Sequence, residues 1–394
     1  MNRFSFTCCS LLLVACNAGP MHTNSATPQS NAASVAPKLQ PAETSVASEK
    51  HPEKGHPKAE GAVKPALRGL ISMGAYKFRQ EYGEPDNSLD IVRQKDGLLQ
   101  GIVIVATWRN LEKSATSGLT ENNEIDQGLA EVRKYNDAHP NAPLAVKLRV
   151  WGGFFAPDWV IAESGGPINV MDTNFRNVER PRTVGHVWTD SYRKEWAHLQ
   201  ELLAAKYDSD PLIREVAVTS CQTKTAEPFI IDTHPASLKP LRDAGLTDAA
   251  FKACLNGIVQ DYAPWKTTRF ETPLNPFIST DGQPERDEQF TLDWIKRCHE
   301  AEPVRCALDN HNLEADMSKN KELSAIYDGM RKSGAEVEFQ SGPSKPKSLD
   351  AMIHTAVETG AESVELWQDF EGFPDMTDAE LRANAKRLEE NRAK

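Results

Sequence analysis

Charged and amide side chains alternate with apolar ones in three short segments of the sequence. The segments read LAVKLRVW (144–151), EVEFQ (336–340) and SVELW (363–367). Successive side chains of a β-strand point to opposite faces, so the apolar residues predict a face that packs against helices. The alternate residues, which are predicted to face inward, are Lys147, Arg149, Trp151, Glu336, Glu338, Gln340, Ser363, Glu365 and Trp367. Because isolated buried charges are costly, these groups must pair, shift their pKa values or lie near a solvated opening.

Aromatic and hydrogen-bonding residues stand where the β-rich segments end. A sugar ring stacks its C–H faces on aromatic rings while its hydroxyls bond to amides and carboxylates, so this mixture predicts a neutral polyhydroxylated ligand. An anionic ligand would require more Arg and Lys. The predicted ligand-binding residues are Trp108, Arg109, Arg149, Trp151, Asn310, His311, Gln340, Glu365 and Trp367. Alternatives stay open for His311, as a loop-capping residue, and for Glu365, as a buried ion-pair member.

The elements that position these residues follow a repeating order from Leu67 onward. Short β-rich runs alternate with stretches of helical spacing, which predicts parallel strands joined by crossover helices. The eight runs are residues 69–76, 101–108, 144–151, 213–220, 267–272, 304–310, 336–340 and 363–367. They predict an α/β fold, a closed (β/α)8 TIM barrel whose chemistry lies at the carboxyl ends of the strands. A doubly wound open sheet is the alternative, but its usual glycine-rich phosphate loop is missing from the sequence.

Capping residues mark the ends of several predicted helices. The predicted N-caps and helix ends are Thr247, Ser348, Thr377, Gly334 and Gly360. Glu380 completes a capping box with Thr377. The third interval is longer than the others, and its segments PINVMD (167–172) and TVGHVW (183–188) predict a small excursion before the next helix.

The N-terminus resembles the signal of bacterial lipoproteins. Arg3 precedes an apolar stretch over 4–15 that is too short to span a bilayer. The stretch ends in Leu-Val-Ala-Cys, which is similar to a lipobox. The resemblance implies cleavage after residue 15 and a diacylglyceryl group on Cys16. Since Asn17 is not aspartate, an outer-membrane location facing the periplasm or the surface is expected, and an ordinary signal peptide is the alternative.

Composition separates a tether from a globular part and excludes several classes of protein. Residues 17–66 contain seven prolines and no aromatic residue, so 16–66 is predicted to be a disordered linker, and 67–394 a single barrel domain. With 45 basic and 56 acidic residues the net charge is −11, which argues against a nucleic-acid partner. Mean hydropathy is −0.52 and no apolar run approaches 18 residues, so a lipid anchor would be the only membrane contact.

Seven cysteines divide into two groups. Cys8 and Cys9 belong to the signal and Cys16 to the anchor. The remaining four are Cys221, Cys254, Cys298 and Cys306. An even number in an oxidising compartment predicts two disulfides, and nearest-neighbour pairing is the expected connectivity. With no CxxC, HExxH or histidine cluster in the sequence, neither a metal nor another cofactor is predicted.

In the order of its local motifs the chain resembles the clan A glycoside hydrolases, nearest in layout to the family 42 β-galactosidase group. The segments that carry the resemblance are ATWRNLE (106–112), VWGGFFAPDWV (150–160), LQELLAAKYDSDPLIREVAV (199–218) and Trp367. It covers residues 67–394 and implies a barrel that acts on glycosidic bonds without a cofactor.

The resemblance also implies a pair of catalytic carboxylates. The family carries Asn-Glu at the end of the fourth strand as acid/base and Glu at the end of the seventh as nucleophile. Glu338 occupies the position of the seventh-strand glutamate. The alternative is that Glu338 is a buried ion-pair partner of Lys147 or Arg149. The fourth strand has Thr219-Ser220 where Asn-Glu is expected, and Glu227 is the nearest carboxylate that could act as the acid, or else it anchors its loop.

These observations lead to three functional hypotheses. The first is a lipid-anchored glycosidase in which Glu227 protonates the glycosidic oxygen and Glu338 stabilises or attacks the anomeric centre. The second is a barrel that binds a carbohydrate without cleaving it. The third is a structural envelope lipoprotein whose inner charges only hold the barrel together.

Overall fold

A computed structural model of the protein describes residues 62–73, 89–173, 179–224, 226–231, 234–315, 321–341, 349–366 and 377–391. The chain divides into two units, Met1–His56 and Pro57–Lys394, and the described residues all belong to the second. Cys16, Ser348 and Trp367 lie outside the described residues. The strands are β1 Gly69–Ser72, β2 Gly101–Thr107, β3 Ala145–Trp151, β4 Ile168–Thr173, β5 Glu179–Val184, β6 Ile213–Ala217, β7 Arg269–Pro273, β8 Phe277–Ile278, β9 Arg286–Asp287, β10 Cys306–Asp309, β11 Glu336–Gln340 and β12 Ser363–Leu366.

Helices lie between most of these strands along the chain. They are α1 Asp90–Gln94, α2 Trp108–Leu111, α3 Glu124–Ala138, α4 Asp158–Glu163, α5 Asp190–Tyr207, α6 Pro235–Asp243, α7 Asp248–Asp261, α8 Glu288–Ala301, α9 Lys321–Ser333, α10 Leu349–Glu358 and α11 Asp378–Glu390, with a 3-10 turn at Gly153–Phe155. In the described part of the chain, no helix combines the length and the apolar character needed to cross a membrane.

Eight of the strands form a closed parallel barrel in the order β1-β2-β3-β6-β7-β10-β11-β12, which returns to β1. Each strand corresponds to one of the eight predicted runs. The fold class predicted from the sequence, a (β/α)8 barrel, is therefore confirmed, and the open doubly wound sheet is excluded. The apolar runs form strands because they are covered on the outside by helices: all seven residues of β2 are buried.

The local signals in the described residues act as predicted. The side chain of Thr247 accepts a hydrogen bond from the Ala250 amide, and Thr377 forms the capping box with Glu380. Gly334 and Gly360 follow α9 and α10 with φ of +79° and +96°, a backbone conformation that favours glycine. The excursion in the third interval is the antiparallel pair β4 and β5.

Two disulfides join the predicted nearest neighbours. Cys221–Cys254 links the loop after β6 to α7, and Cys298–Cys306 links α8 to β10. Cys221 has a φ of +62°, which is uncommon for a residue with a side chain. The first bridge therefore holds a strained loop directly after the fourth strand of the barrel.

Charged residues fill the inside of the barrel, as the alternation predicts. Lys147 and Arg149 pair in register with Val103 and Val105 on β2, so these four side chains share the inner face. The Lys147 ammonium donates to Glu338 on β11, although β3 and β11 are not neighbours in the sheet. The contact must therefore cross the interior, which places both side chains in the lumen.

Candidate functional site

Lys147 lies at the centre of the barrel and is surrounded by four glutamates, which we call the lysine cluster. Its Nζ atom lies 3.4 Å from Glu215, 3.7 Å from Glu271, 2.5 Å from Glu338 and 2.9 Å from Glu365. All five side chains are excluded from solvent. Burial disfavours the charged ammonium, but the four carboxyl groups together raise the pKa of Lys147 well above its ordinary value.

The carboxyl groups of the lysine cluster outnumber its cation, so some of them must hold protons. Burial raises the pKa values of Glu215 and Glu271 well above the ordinary value. Glu365 behaves in the opposite way: burial would raise its pKa, but Arg149 and Lys147 hold it at about 2. Glu365 is therefore ionised and is one partner of the two cations.

Arg149 lies one inward position further towards the carboxyl end of the strands. Its Nη2 atom donates to both oxygens of Glu365 at 2.9 Å, and its Nη1 atom donates to Gln340 Oε1 at 3.4 Å. For Glu365 the structure supports the ion-pair alternative, since both carboxylate oxygens are already engaged. Gln340 is the last residue of β11 and is 3% exposed.

A second polar group, which we call the mouth cluster, gathers in the loops at the carboxyl ends of β6, β7 and β10. It consists of Glu227, Asn275, Asp309 and His311. The imidazole lies between two carboxyl groups, with Nε2 at 3.0 Å from Asp309 Oδ2 and Nδ1 at 3.9 Å from Glu227 Oε1. Asn275 donates to Glu227 Oε1 at 3.1 Å. The side chain of Glu227 is 19% exposed, so it combines contact with His311 and access to solvent.

Burial controls protonation in the mouth cluster. It raises the pKa of Asp309 to about 6 and lowers the pKa of His311. A neutral imidazole is therefore the expected state at neutral pH, with one ring nitrogen as donor and the other as acceptor. Of the two hypotheses for His311, a ligand-facing residue and a loop cap, the 3.0 Å approach to Asp309 is compatible with both.

The predicted catalytic pair is divided between the two clusters. Glu227 belongs to the mouth cluster, whereas Glu338 is 0% exposed and lies in the lysine cluster. Of the two interpretations of Glu338, the contacts support the buried partner of Lys147. The carboxyl group expected to attack a sugar is thus held in an ion pair within the barrel.

The prediction that Trp108 and Asn310 bind a ligand is wrong, because both side chains are buried in contacts with other parts of the protein. Trp108 is 0% exposed and packs its ring against Tyr192 and Trp196 of α5. It follows β2 at the start of α2, where its parity directs the indole towards the helices and away from the lumen. The side chain of Asn310 donates to Leu274 O and accepts from Tyr327, so it anchors its loop instead of facing a ligand.

Trp151 and Arg109 are brought together by the 3-10 turn that follows β3. Trp151 ends β3 on the inner face, is 5% exposed and lies 5.1 Å from the ring of Phe155. The Arg109 guanidinium lies 5.2 Å from the centroid of the same ring and donates to Phe154 O. These two residues therefore remain candidates for contact with a ligand.

The loop after β6 adds polar groups that the sequence analysis did not single out. Ser220, Gln222 and Thr223 are at most 2% exposed, and their side-chain polar atoms have no hydrogen-bond partner among the described residues. Gly153, with a φ of +53°, packs so closely on the carbonyl of Thr223 that a Cβ atom would clash. Buried polar groups normally bind protein, water or a ligand, so this loop is a candidate wall of a binding site.

Sequence reasoning also missed Asp309, Glu215 and Asn275. The first two could have been found from the alternation already used, because Asp309 alternates with the apolar Leu308 in β10 and Glu215 with the apolar Val216 in β6. Asn275 lies in a loop after β7 and has no such periodic signal. Glu271, in β7, lies 3.7 Å from Lys147.

No protein-family model matches the chain, and no curated protein does. Among solved structures it is similar to a trimodular GH5_4 subfamily endoglucanase, with 13% identity, a TM-score of 0.45, and coverage of 83% of this chain and 61% of that one. It is also similar to endo-glycoceramidase II from Rhodococcus sp., at 13% identity, a TM-score of 0.46, and coverage of 78% and 75%. For a β-galactosidase from Rahnella sp. R3 the values are 13%, 0.47, and 82% and 56%. These similarities concern the barrel fold; the chain spans 61% of the length of the endoglucanase.

Proposed function

We propose that this chain binds a carbohydrate at the carboxyl-terminal end of its barrel. The observation that carries the proposal is the convergence of an imidazole, amides, carboxyl groups and a guanidinium from separate strands at that end. Arg149 is already neutralised by Glu365, so the site offers hydrogen bonds without a large net attraction for anions. Trp151 adds an aromatic ring beside these groups, which suits a neutral sugar ring.

Hydrolysis of a glycosidic bond is the second candidate, and it rests on Glu227. This carboxyl group is partly exposed and hydrogen-bonded by Asn275, so a leaving-group oxygen could reach it. Retaining hydrolysis needs a second carboxylate about 5 Å away. Glu338 is held in a buried ion pair with Lys147 and is not available as this second carboxylate. Carbohydrate binding without cleavage is therefore the favoured function.

Thermal unfolding of the full chain with a panel of neutral mono- and disaccharides tests the proposal. We expect one sugar at about 100 times its Kd to raise the melting temperature by about 4 °C, since that excess contributes about 2.7 kcal/mol and each kcal/mol shifts a domain of about 330 residues by roughly 1.5 °C. Trp151→Ala should abolish the shift. Trp108→Phe is the matched control: it should lower the melting temperature through lost packing but keep the sugar-induced shift.

Aryl-glycoside hydrolysis separates the two candidates. A measurable rate that is lost in Glu227→Gln would favour the glycosidase, whereas a melting shift without any turnover would favour the binding barrel. If no sugar changes the melting temperature and none is cleaved, the proposal is wrong. The hypothesis that the inner charges only hold the barrel together would then be favoured.

We also propose that the protein is anchored to the bacterial outer membrane, facing the periplasm or the surface, through lipid on Cys16. The support is the lipobox-like Leu-Val-Ala-Cys and the proline-rich segment that follows it. Mass spectrometry of the mature N-terminal peptide is expected to begin at Cys16 with the added mass of a diacylglyceryl group. An unmodified peptide that begins elsewhere would contradict this part of the proposal.

A further inference from the structure

Glu271, Asp309 and His311 form a compact group of possible metal ligands, which we call the triad. One ligand atom from each lies within 4.8 Å of the others, and all three side chains are buried. They come from β7, from the end of β10 and from the loop after it. Two ligands of a tetrahedral zinc ion are separated by about 3.3 Å when the bonds are 2.0–2.1 Å. The 3.0 Å between His311 Nε2 and Asp309 Oδ2 is close to this separation.

The polar atoms that face one another in the triad are buried and close together. Both oxygens of Glu271, Asp309 Oδ2 and His311 Nε2 have no partner among the described residues other than the triad itself and Lys147: Glu271 and Asp309 share a hydrogen bond, and Nε2 lies 3.0 Å from Asp309 Oδ2. Lys147 approaches Glu271 only to 3.7 Å, compared with 2.5 Å and 2.9 Å for Glu338 and Glu365. Two buried carboxyl groups this close to one another and to an imidazole nitrogen need a proton or a cation between them, so the triad calls for a shared partner.

The charge balance of the interior points the same way. The lysine cluster and the triad together hold five buried carboxyl groups, and the cations in contact with them among the described residues are Lys147 and Arg149. Protons can neutralise the excess, and so can a divalent cation. The imidazole indicates which divalent cation fits the triad, because a nitrogen ligand beside two carboxylates suits zinc and similar first-row ions better than magnesium or calcium.

We propose that the triad binds a divalent transition-metal ion, with His311 Nε2 and the carboxylates of Glu271 and Asp309 as its ligands. For this, Nε2 must present its lone pair and Nδ1 must carry the proton. Nδ1 faces Glu227 Oε1 at 3.9 Å, and Asn275 holds that carboxylate. At 3.9 Å the two atoms are not hydrogen-bonded, but a shift of about 1 Å would let Nδ1–H donate to this carboxylate, which is the usual outer support of a metal-bound histidine. The site goes beyond the carbohydrate proposal and does not depend on it.

A second group of three carboxyl groups serves as a comparison. Glu215, Glu336 and Glu338 also place one oxygen each within 4.8 Å of the others. This group has no nitrogen ligand, and cations already contact it: Lys147 lies 2.5 Å from Glu338, and Arg269 lies 3.0 Å from Glu336. We therefore assign the metal to the triad alone.

Calorimetric titration of the EDTA-treated full chain with zinc chloride at pH 7.5, without any sugar, tests the proposal. We expect one zinc ion to bind per chain, and Asp309→Asn and His311→Gln each to weaken binding at least 100-fold. Glu336→Gln is the matched control, since it removes a carboxyl group from the second group of three. Its affinity for zinc should stay within threefold of that of the original chain. Magnesium chloride should give no saturable heat.

Melting curves in EDTA show whether each variant is folded. If Asp309→Asn or His311→Gln does not unfold cooperatively, Glu271→Gln is tested in its place. The proposal is overturned if zinc does not bind saturably, if Asp309→Asn and His311→Gln bind as tightly as the original chain, or if Glu336→Gln weakens binding as much as they do. Because no sugar is present, failure of carbohydrate binding leaves this result unchanged.

Discussion

Replacement of Lys147 with methionine is expected to lower the free energy of unfolding by about 3–5 kcal/mol at pH 7, the range measured when one partner of a buried ion pair is removed. Methionine keeps most of the volume of the side chain, so the loss comes from charge. Four buried carboxyl groups would remain around a thioether, and the 2.5 Å contact with Glu338 would have no donor. Urea unfolding followed by circular dichroism measures the change.

The control for this variant is Lys239→Met. The ammonium of Lys239 forms a pair with Asp243 at the surface, where both side chains are more than half exposed. Exposed pairs of this kind contribute at most about 1 kcal/mol. The double variant Lys147→Met/Glu338→Gln should recover part of the stability that Lys147→Met loses, since it also removes one of the carboxylates left without a cation. A loss below 1 kcal/mol for Lys147→Met would contradict the central role of this ammonium.

The second expected result is a fall in stability as the pH rises from about 5 to 9. Burial and the neighbouring Glu338 raise the pKa of Glu336 to about 8 from an ordinary 4.5. The folded state therefore binds a proton that the unfolded state has lost between these values, and the stabilisation disappears as the pH rises through 8. At about 1.4 kcal/mol for each pKa unit, the effect of Glu336 alone is on the order of 4 kcal/mol.

Glu336→Gln should flatten this pH dependence, because a neutral amide has no proton to lose. The ion pair of Glu336 with Arg269 is lost as well, which reduces the gain expected above pH 8. Glu300→Gln is the control, since Glu300 is exposed and its nearest cation, Lys296, lies 3.8 Å away on the same helix. Unfolding in EDTA at pH 5, 7 and 9 gives the comparison. Equal slopes for Glu336→Gln and the original chain would show that Glu336 does not hold the proton.

At the acid end the dependence of stability on pH has the opposite sign. Glu365 has a pKa of about 2 in the folded state, so its contribution is present above its ordinary pKa of 4.5 and is lost as the pH falls through 2. The two groups together predict greatest stability in mild acid. This range is set by the interior of the barrel and does not follow from the net charge of −11.

Much of the barrel could be predicted because its signals are local. Alternation within EVEFQ and LAVKLRVW was enough to assign Glu338, Gln340, Lys147 and Arg149 to the inner face. Strand ends were less informative. Trp108 follows the apolar run of β2, but the chain turns into α2 at that residue, and its indole packs on α5.

The candidate site was predicted only in part, because its residues meet through contacts between distant segments. Lys147 and Glu338 are 191 residues apart, and Arg149 and Glu365 are 216 apart. The sequence indicated that all four are inward, but it left open whether Glu338 pairs with Lys147 or Arg149 or faces a ligand, and it did not show that Glu227 lies in a different cluster. His311 was a candidate from the start, whereas its neighbours Asp309 and Glu271 became part of one group only when β7 and β10 were paired.

Taken alone, the sequence predicted the eight strands, the side of β3, β11 and β12 that faces the lumen, and two disulfides among Cys221, Cys254, Cys298 and Cys306, with nearest-neighbour pairing as the expected connectivity. These features depend on side-chain alternation, caps and short chain separations, which act over a few residues to a few tens of residues. Tertiary structure decided which carboxyl group meets which cation, and that His311 lies between Asp309 and Glu227. The reason is that the height of each inward side chain along the barrel axis is set by the register of every strand pair, and this register exists only once the barrel closes.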